Sequence, residues 1–339
     1  MIVFSIIGAL IGAGFASGQE MYLFFYRFGI FGILGLLLCS SLIGMTIYKT
    51  FLIIHNKNIS NYQDFLNEIF YRGKKQPKNK YLNLSYISNI IVNVFLLITF
   101  YIMISGFGAY FEQEFKIHRL IGAISLAIIC FVILLKDIEG VKKVNSIVVP
   151  ILICIILIIS FMNIKNIDIN KISLKNNYSW IIQAIVYCSY NMILVIPVLV
   201  GLKKYIKNKK QIKLIAIASG FIVFFLAISI FLWLTNVNIS FDNLEMPAVY
   251  VIDIKFPNFS WIYGIVILLS IFSTAISIGI SFLKNVTKNK NTYPQIVAIM
   301  CISGVLISNF GFSNLVKLLF PVFGYLGIIQ IGYILRHKI

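Results

Sequence analysis

Gly8–Glu20 reads GALIGAGFASGQE and lies inside the first apolar run of the chain. Four glycines, a serine, a glutamine and a glutamate stand where an ordinary membrane span carries leucines. Each glycine costs a helix about 1 kcal/mol relative to alanine, and a carboxylate at bilayer depth costs more. A helix interrupted at mid-membrane exposes backbone groups that lipid cannot satisfy but a cavity can use. Carbonyls ending the first half-helix suit a cation, and amides opening the second suit an anion, each helped by the helix dipole. Glycine accepts unusual φ/ψ and lets a ligand approach the backbone. The stretch therefore reads as a binding site built from backbone. Gly12, Ala13, Gly14 and Ser17 are its expected solute contacts, and Gln19 and Glu20, just beyond the break, are expected gating or coupling groups. The spacings Gly8-x-x-x-Gly12 and Gly14-x-x-x-Gly18 also match a helix-contact motif. That motif leaves Ser17, Gln19 and Glu20 unexplained.

The rest of the chain sets this stretch in a membrane. Of 339 residues, 60% are hydrophobic and 12% charged, more apolar surface than a soluble domain of this size can hide. A transmembrane β-barrel would instead show alternating ten-residue segments. The expected fold is an all-α polytopic membrane protein with ten spans, near 1–26, 29–54, 86–111, 120–135, 144–163, 179–202, 212–236, 259–284, 293–310 and 315–335. The net charge of +18 does not point to nucleic acid, because the basic residues cluster in short loops. With a cytoplasmic N-terminus, 21 of the 29 Lys and Arg fall on the inner side and 8 on the outer. Both termini are thus expected in the cytoplasm and the chain in the cell membrane. Cys39, Cys130, Cys154, Cys188 and Cys301 all lie in apolar runs without metal-ligand spacing, and read as packing residues. The first run has no basic leader, so no cleavable signal peptide is expected.

Two loops are long. Asn56–Leu82 contains NYQDFLNEIF, whose apolar spacing predicts a helix lying along the membrane interface. Asn236–Asn258 contains EMPAVYVI and falls on the opposite face, five spans later. That recurrence is the mark of two inverted five-span repeats, about 1–163 and 178–336, in one transporter domain. The repeat predicts that span 6 is broken as span 1 is. Its sequence, SWIIQAIVYCSYNMILVIPVLVGL, carries a polar cluster from Tyr187 to Asn191 followed by Pro197. Tyr187, Ser189 and Asn191 are the expected solute contacts there. In span 3, Tyr101 is placed to close over a solute, with Glu112 and Glu114 at the exit.

GAGFASGQE resembles the hallmark of the YkvI-like bacterial membrane proteins, relatives of the amino acid–polyamine–organocation superfamily. That resemblance, extended over the whole chain by the ten-span layout, implies the LeuT-type fold of inverted repeats with spans 1 and 6 discontinuous. The chain departs from that pattern in lacking charged residues before the first half-helix. In LeuT-type sodium symporters, carbonyls of the first span and hydroxyls of the eighth share an ion site. Here span 8 reads LLSIFSTAISIG, and Ser270, Ser273 and Thr274 share a helix face by their i, i+3, i+4 spacing. The resemblance implies a Na⁺ site with Ser273 and Thr274 as hydroxyl ligands and Ser270, Gly8 and Ile11 contributing carbonyls, Na⁺ being the one coupling ion it suggests in place of a cofactor.

Three functions follow as expectations. The first is a secondary active transporter moving an amino acid or related small solute by symport with Na⁺ or H⁺. The second is a transporter-like ligand sensor resembling a spore germinant receptor subunit, which would need membrane partner subunits. The third, an intramembrane enzyme, lacks any catalytic motif, and His55, His118 and His337 all lie outside the spans. No G-x-x-x-x-G-K-[ST] loop marks ATP use.

Overall fold

The computed structural model describes residues 1–73, 77, 83–135, 138–163, 178–237, 241–242, 244–287 and 291–338. Ten of the loop lysines behind the charge bias lie outside the described residues. The described chain is helical. The first apolar run forms three short pieces, α1 (Ile2–Leu10), α2 (Ala13–Ala16) and α3 (Gln19–Phe24). Then come α4 (Ile30–Asn56), α5 (Tyr62–Tyr71), α6 (Leu84–Phe115), α7 (Arg119–Leu134) and α8 (Ile138–Asn163). The second half holds α9 (Ser179–Leu202), α10 (Lys209–Leu234), α11 (Pro247–Lys255), α12 (Pro257–Val286), α13 (Tyr293–Ile307) and α14 (Phe312–Arg336).

Local chemistry sets many of these starts. Asn61 and Asn208 accept the backbone N–H groups of Asp64 and Gln211, each at 2.8 Å, the usual way an asparagine caps a helix. Pro247 and Pro257 stand in the first turns of α11 and α12, where no N–H is needed. Among the described residues, eight helices are long and apolar enough to cross a membrane, and the protein is a membrane protein. α7 is shorter, at 16 residues.

The broken first segment is the centre. Every residue from Ser5 to Tyr22 is buried. α8, α9, α10 and α12 surround α1, while α6 and α12 hold α2. α9 and α12 are the most enclosed of the long helices, 83% and 78% buried over their apolar windows, whereas α13 on the periphery is 28% buried. The helix expected in NYQDFLNEIF forms as α5. Its apolar face, Phe65, Leu66 and Ile69, is fully buried against protein instead of resting on lipid. Gln330 donates to Tyr62 at 3.0 Å, and the Glu68 carboxylate lies 3.2 Å from His337, which ties α5 to the end of α14.

Span 6 corrects an expectation. α9 runs unbroken from Ser179 to Leu202, with Pro197 inside it. The polar cluster satisfies its own helix. Ser189 donates to the Ile185 carbonyl at 2.7 Å, and Asn191 to the Tyr187 carbonyl at 2.9 Å. Such i−4 bonds let polar residues sit mid-helix without opening it.

α9 packs tightly on α14 at two glycines. A Cβ on Gly324 would lie 2.7 Å from the Val186 carbonyl oxygen, and one on Gly327 would lie 2.9 Å from that of Ser189. Gly332, further along α14, has nothing within 4 Å. Gly324→Ala should therefore lower stability by about 1–3 kcal/mol, the usual cost of overpacking. Gly332→Ala should hold or slightly raise it through helix propensity. Unfolding of both variants in detergent checks this, and equal losses would show that the helix contact is not the determinant.

Candidate functional site

The break begins where α1 ends. Ile11 leaves helical geometry at ψ 81°, and Gly12 is extended at φ −94°, ψ −166°. Carbonyls near the end of α1 therefore lose their helical partners and need others. Thr274 on α12 supplies them: its Oγ1 lies 2.7 Å from the Gly8 carbonyl and 3.0 Å from that of Ile11. Ser273 Oγ lies 3.4 Å from the Gly8 carbonyl. A Cβ on Gly8 would come within 2.6 Å of Ser273 Oγ and 2.9 Å of Asn145 Nδ2, so only glycine admits this approach.

Four of the five expected cation ligands thus converge: Gly8, Ile11, Ser273 and Thr274. Ser270 stands on the same helix, but its hydroxyl donates to the Ile267 carbonyl at 2.8 Å. The converging atoms are all neutral oxygens, the donor set a hard cation prefers. Asn145 on α8 joins them through its Oδ1, which accepts from Ser273 Oγ at 2.9 Å. The motifs did not mark it. It opens the apolar run of span 5, where a polar residue passes for a loop boundary.

Beyond the break, α2 is held from three sides. Ala13 N–H points at Met103 Sδ, 3.4 Å away. A Cβ on Gly12 would touch the same Met103 Sδ at 3.1 Å and Thr274 Cγ2 at 3.2 Å. The Ala16 carbonyl accepts from Tyr263 of α12, and the Ser17 carbonyl accepts from Ala248 N–H of α11 at 2.7 Å. Gly18 then turns with φ +77°, a conformation that favours glycine, and a Cβ there would also meet that of Ala248 at 2.9 Å. Ser17 Oγ bonds the Gly14 carbonyl at 3.3 Å, inside its own turn.

Gln19 donates to Ser313 of α14 at 3.0 Å, and its Oε1 is buried without a partner among the described residues. Glu20 is 3% exposed. Its Oε2 accepts from Tyr187 at 3.0 Å and Tyr190 at 2.6 Å, and the salt bridges found among the described residues give it no cation. A Cβ on Gly14 would overlap the other carboxylate oxygen. Tyr187 is therefore in the site, but as a donor to Glu20. Tyr190, which the sequence did not single out, is its equal. Ser189 and Asn191 serve α9 itself, as described above.

Tyr101 is a further correction. Its hydroxyl pairs with Ser303 of α13 at 2.7 Å, and its ring lies against Gly304. The helical turn of α6 that reaches the break presents Met103 instead, two residues on. At the ends of α6 and α7, a cavity of about 530 Å³ is lined by Glu112, Glu114, Arg119, Glu245 and Asp253. Burial pushes the Glu245 carboxyl above the usual carboxylate range, and Arg119 opposes that.

The arrangement defines a class. The chain superposes on MhsT, solved in complex with L-phenylalanine, with a TM-score of 0.68 over 97% of this chain and 87% of that one, at 14% identity. The fold is thus of the LeuT type. Within that class, the chain is homologous to the membrane protein YkvI of Bacillus subtilis, 26% identical over 353 residues, 99% of this chain and 95% of the relative. It is also similar to YyaD of the same organism, 26% identical over 339 residues, 98% and 95% of the two chains. No family model matches.

Losing a hydrogen-bond donor to a buried carboxyl group costs about 1–3 kcal/mol. Tyr190→Phe should lower stability by that amount, and Tyr101→Phe, whose hydroxyl faces only a serine, by less. Thermal unfolding of the two variants side by side gives the comparison. A smaller loss for Tyr190→Phe would mean that its hydroxyl does not hold Glu20.

Proposed function

We propose that this protein is a secondary active transporter that carries a small organic solute, an amino acid or related compound, by alternating access coupled to Na⁺. The observation that carries the reading is the oxygen cluster of Gly8, Ile11, Ser273 and Thr274 at the broken helix. A ring of neutral dipoles can replace part of a sodium ion's hydration shell without a carboxylate. The fold shared with MhsT and that protein's L-phenylalanine complex support an amino-acid-sized solute beside the break, near Gly12, Ala13 and Gly14. Counting the broken segment and α7 as spans gives ten, in two inverted repeats. The short helices α5 and α11 stand at matching places five spans apart. Both termini then face the cytoplasm and the chain lies in the cell membrane.

Residues of the cluster have separate tasks in this reading. The carbonyls and hydroxyls hold the ion and thereby the angle between α1 and α2. Gln19 and Glu20 link the outer half of span 1 to α14 and α9, so they govern its release as gating groups. Because Ser5–Tyr22 is fully enclosed, solute entry requires these links to open.

Uptake of a panel of amino acids by the protein in liposomes tests the proposal. A Na⁺ gradient should drive accumulation. Ser273→Ala with Thr274→Val removes two oxygens at nearly constant volume, and should make solute binding indifferent to replacing Na⁺ by choline. Glu20→Gln should slow transport and leave the Na⁺ requirement intact. Wild-type uptake driven by H⁺ alone, with the pH response lost in Glu20→Gln, would move the coupling to Glu20. Binding without accumulation under either gradient would favour a ligand sensor.

A further inference from the structure

The side chain of Asn145 is 1% exposed and stands between α1 and α12. Three hydrogen bonds around it close a ring. Ser273 Oγ donates to Asn145 Oδ1 at 2.9 Å, Asn145 Nδ2 donates to Ser277 Oγ at 2.8 Å, and Ser277 Oγ donates to the Ser273 carbonyl at 2.8 Å. Each bond dictates the next. A hydroxyl has one proton and two lone pairs, and a carbonyl only accepts. Ser277 commits its proton to the Ser273 carbonyl, so it must accept from Asn145. The amide therefore presents N–H to Ser277 and oxygen to Ser273. The proton of Ser273 is drawn toward Asn145 at 2.9 Å rather than toward the Gly8 carbonyl at 3.4 Å, which leaves its lone pairs free for a cation at the break.

Thr274 has no such external acceptor among its hydrogen bonds. Its proton is directed at Gly8 and Ile11 themselves, the two carbonyls a cation would use. A cation entering the cluster must turn that hydroxyl but meets Ser273 already oriented. Orientation by an outer partner is what commonly tunes a metal ligand. Asn145 also borders a second space. This is a cavity of about 60 Å³, lined also by Ser5, Pro197, Ser277, Ser281 and Lys284.

We infer that Asn145 is a positioning residue for the cation: it holds the Ser273 hydroxyl with its lone pairs toward the ion, and so sets the site's affinity and its preference among alkali cations. The inference rests on the sodium reading above, and the test separates the two. The unfolding midpoint of the purified full chain is measured without solute, against rising NaCl or LiCl, with choline chloride holding ionic strength constant. Wild type should show a saturable stabilisation by Na⁺. Asn145→Ala should need about 10–100-fold more Na⁺ for half the effect, the usual cost of losing an outer partner, and the Na⁺ to Li⁺ ratio should change. A purely structural role would lower the midpoint in choline and leave both the half-saturating Na⁺ and the ratio unchanged. That result overturns the inference and leaves the sodium site standing. No saturable Na⁺ effect in wild type overturns both. Should Asn145→Ala fail to fold, Asn145→Asp keeps the volume and the oxygen toward Ser273 while adding charge. It should lower the half-saturating Na⁺ below wild type, and an unchanged value overturns the inference.

Discussion

A backbone carbonyl cannot be left unpaired inside an apolar membrane protein, and here one hydroxyl meets that requirement twice. Thr274 reaches both Gly8 and Ile11 across the gap where α1 ends. An unpaired buried group costs about 1–3 kcal/mol, so without α12 at this distance the break would close into ordinary helix or be filled by water. The remaining features follow from holding α12 there. Gly8 is glycine because a β-carbon would strike Ser273. Tyr263, about three turns back along the same helix, takes the carbonyl that ends α2. Buried serines at 273, 277 and 281 repeat every four residues along α12, each on the face turned inward.

The second element is a carboxyl group with phenols around it. Glu20 stands among Tyr187, Tyr190 and Phe24. The two tyrosine rings meet edge-on at 5.2 Å, and Tyr190 stacks on Phe320 of α14 at 4.7 Å. The two tyrosine hydroxyls of α9 are therefore used sideways, toward span 1, while its backbone stays helical. α9 meets the broken segment at one acidic side chain, and α9 itself stays unbroken. That asymmetry explains why α9 can be among the most buried helices and still carry five consecutive residues of mixed polarity.

Much of this was legible in the sequence, and the exceptions share a cause. The break in span 1 could be read because glycine, serine, glutamine and glutamate interrupt an apolar run together. The pairing of span 8 hydroxyls with span 1 carbonyls followed from spacing and resemblance. Span 6 misled because a polar cluster looks the same whether it opens a helix or bonds its own turn; Ser189 and Asn191 do the latter. Tyr101 and Met103 differ by two positions, about 200° around a helix, and only the packing of α6 against α13 decides which faces the break. Asn145 was invisible for a different reason, since its role depends on two serines more than 120 residues away in the chain. The apolar face of α5 is legible in its spacing, but that face packs on protein, chiefly α6, and not on the lipid surface.

The bond from Ala248 to the Ser17 carbonyl has a mechanical side. α11 packs against the broken segment and touches it through backbone, with Gly18 leaving no room for slip. Any swing of α2 and α3 must carry α11 along or snap that bond. The far end of α11 is open to the exterior of the molecule, with Ile254 half-exposed. A reporter group attached at that position would sense rearrangement at the buried centre from outside, without entering the site itself.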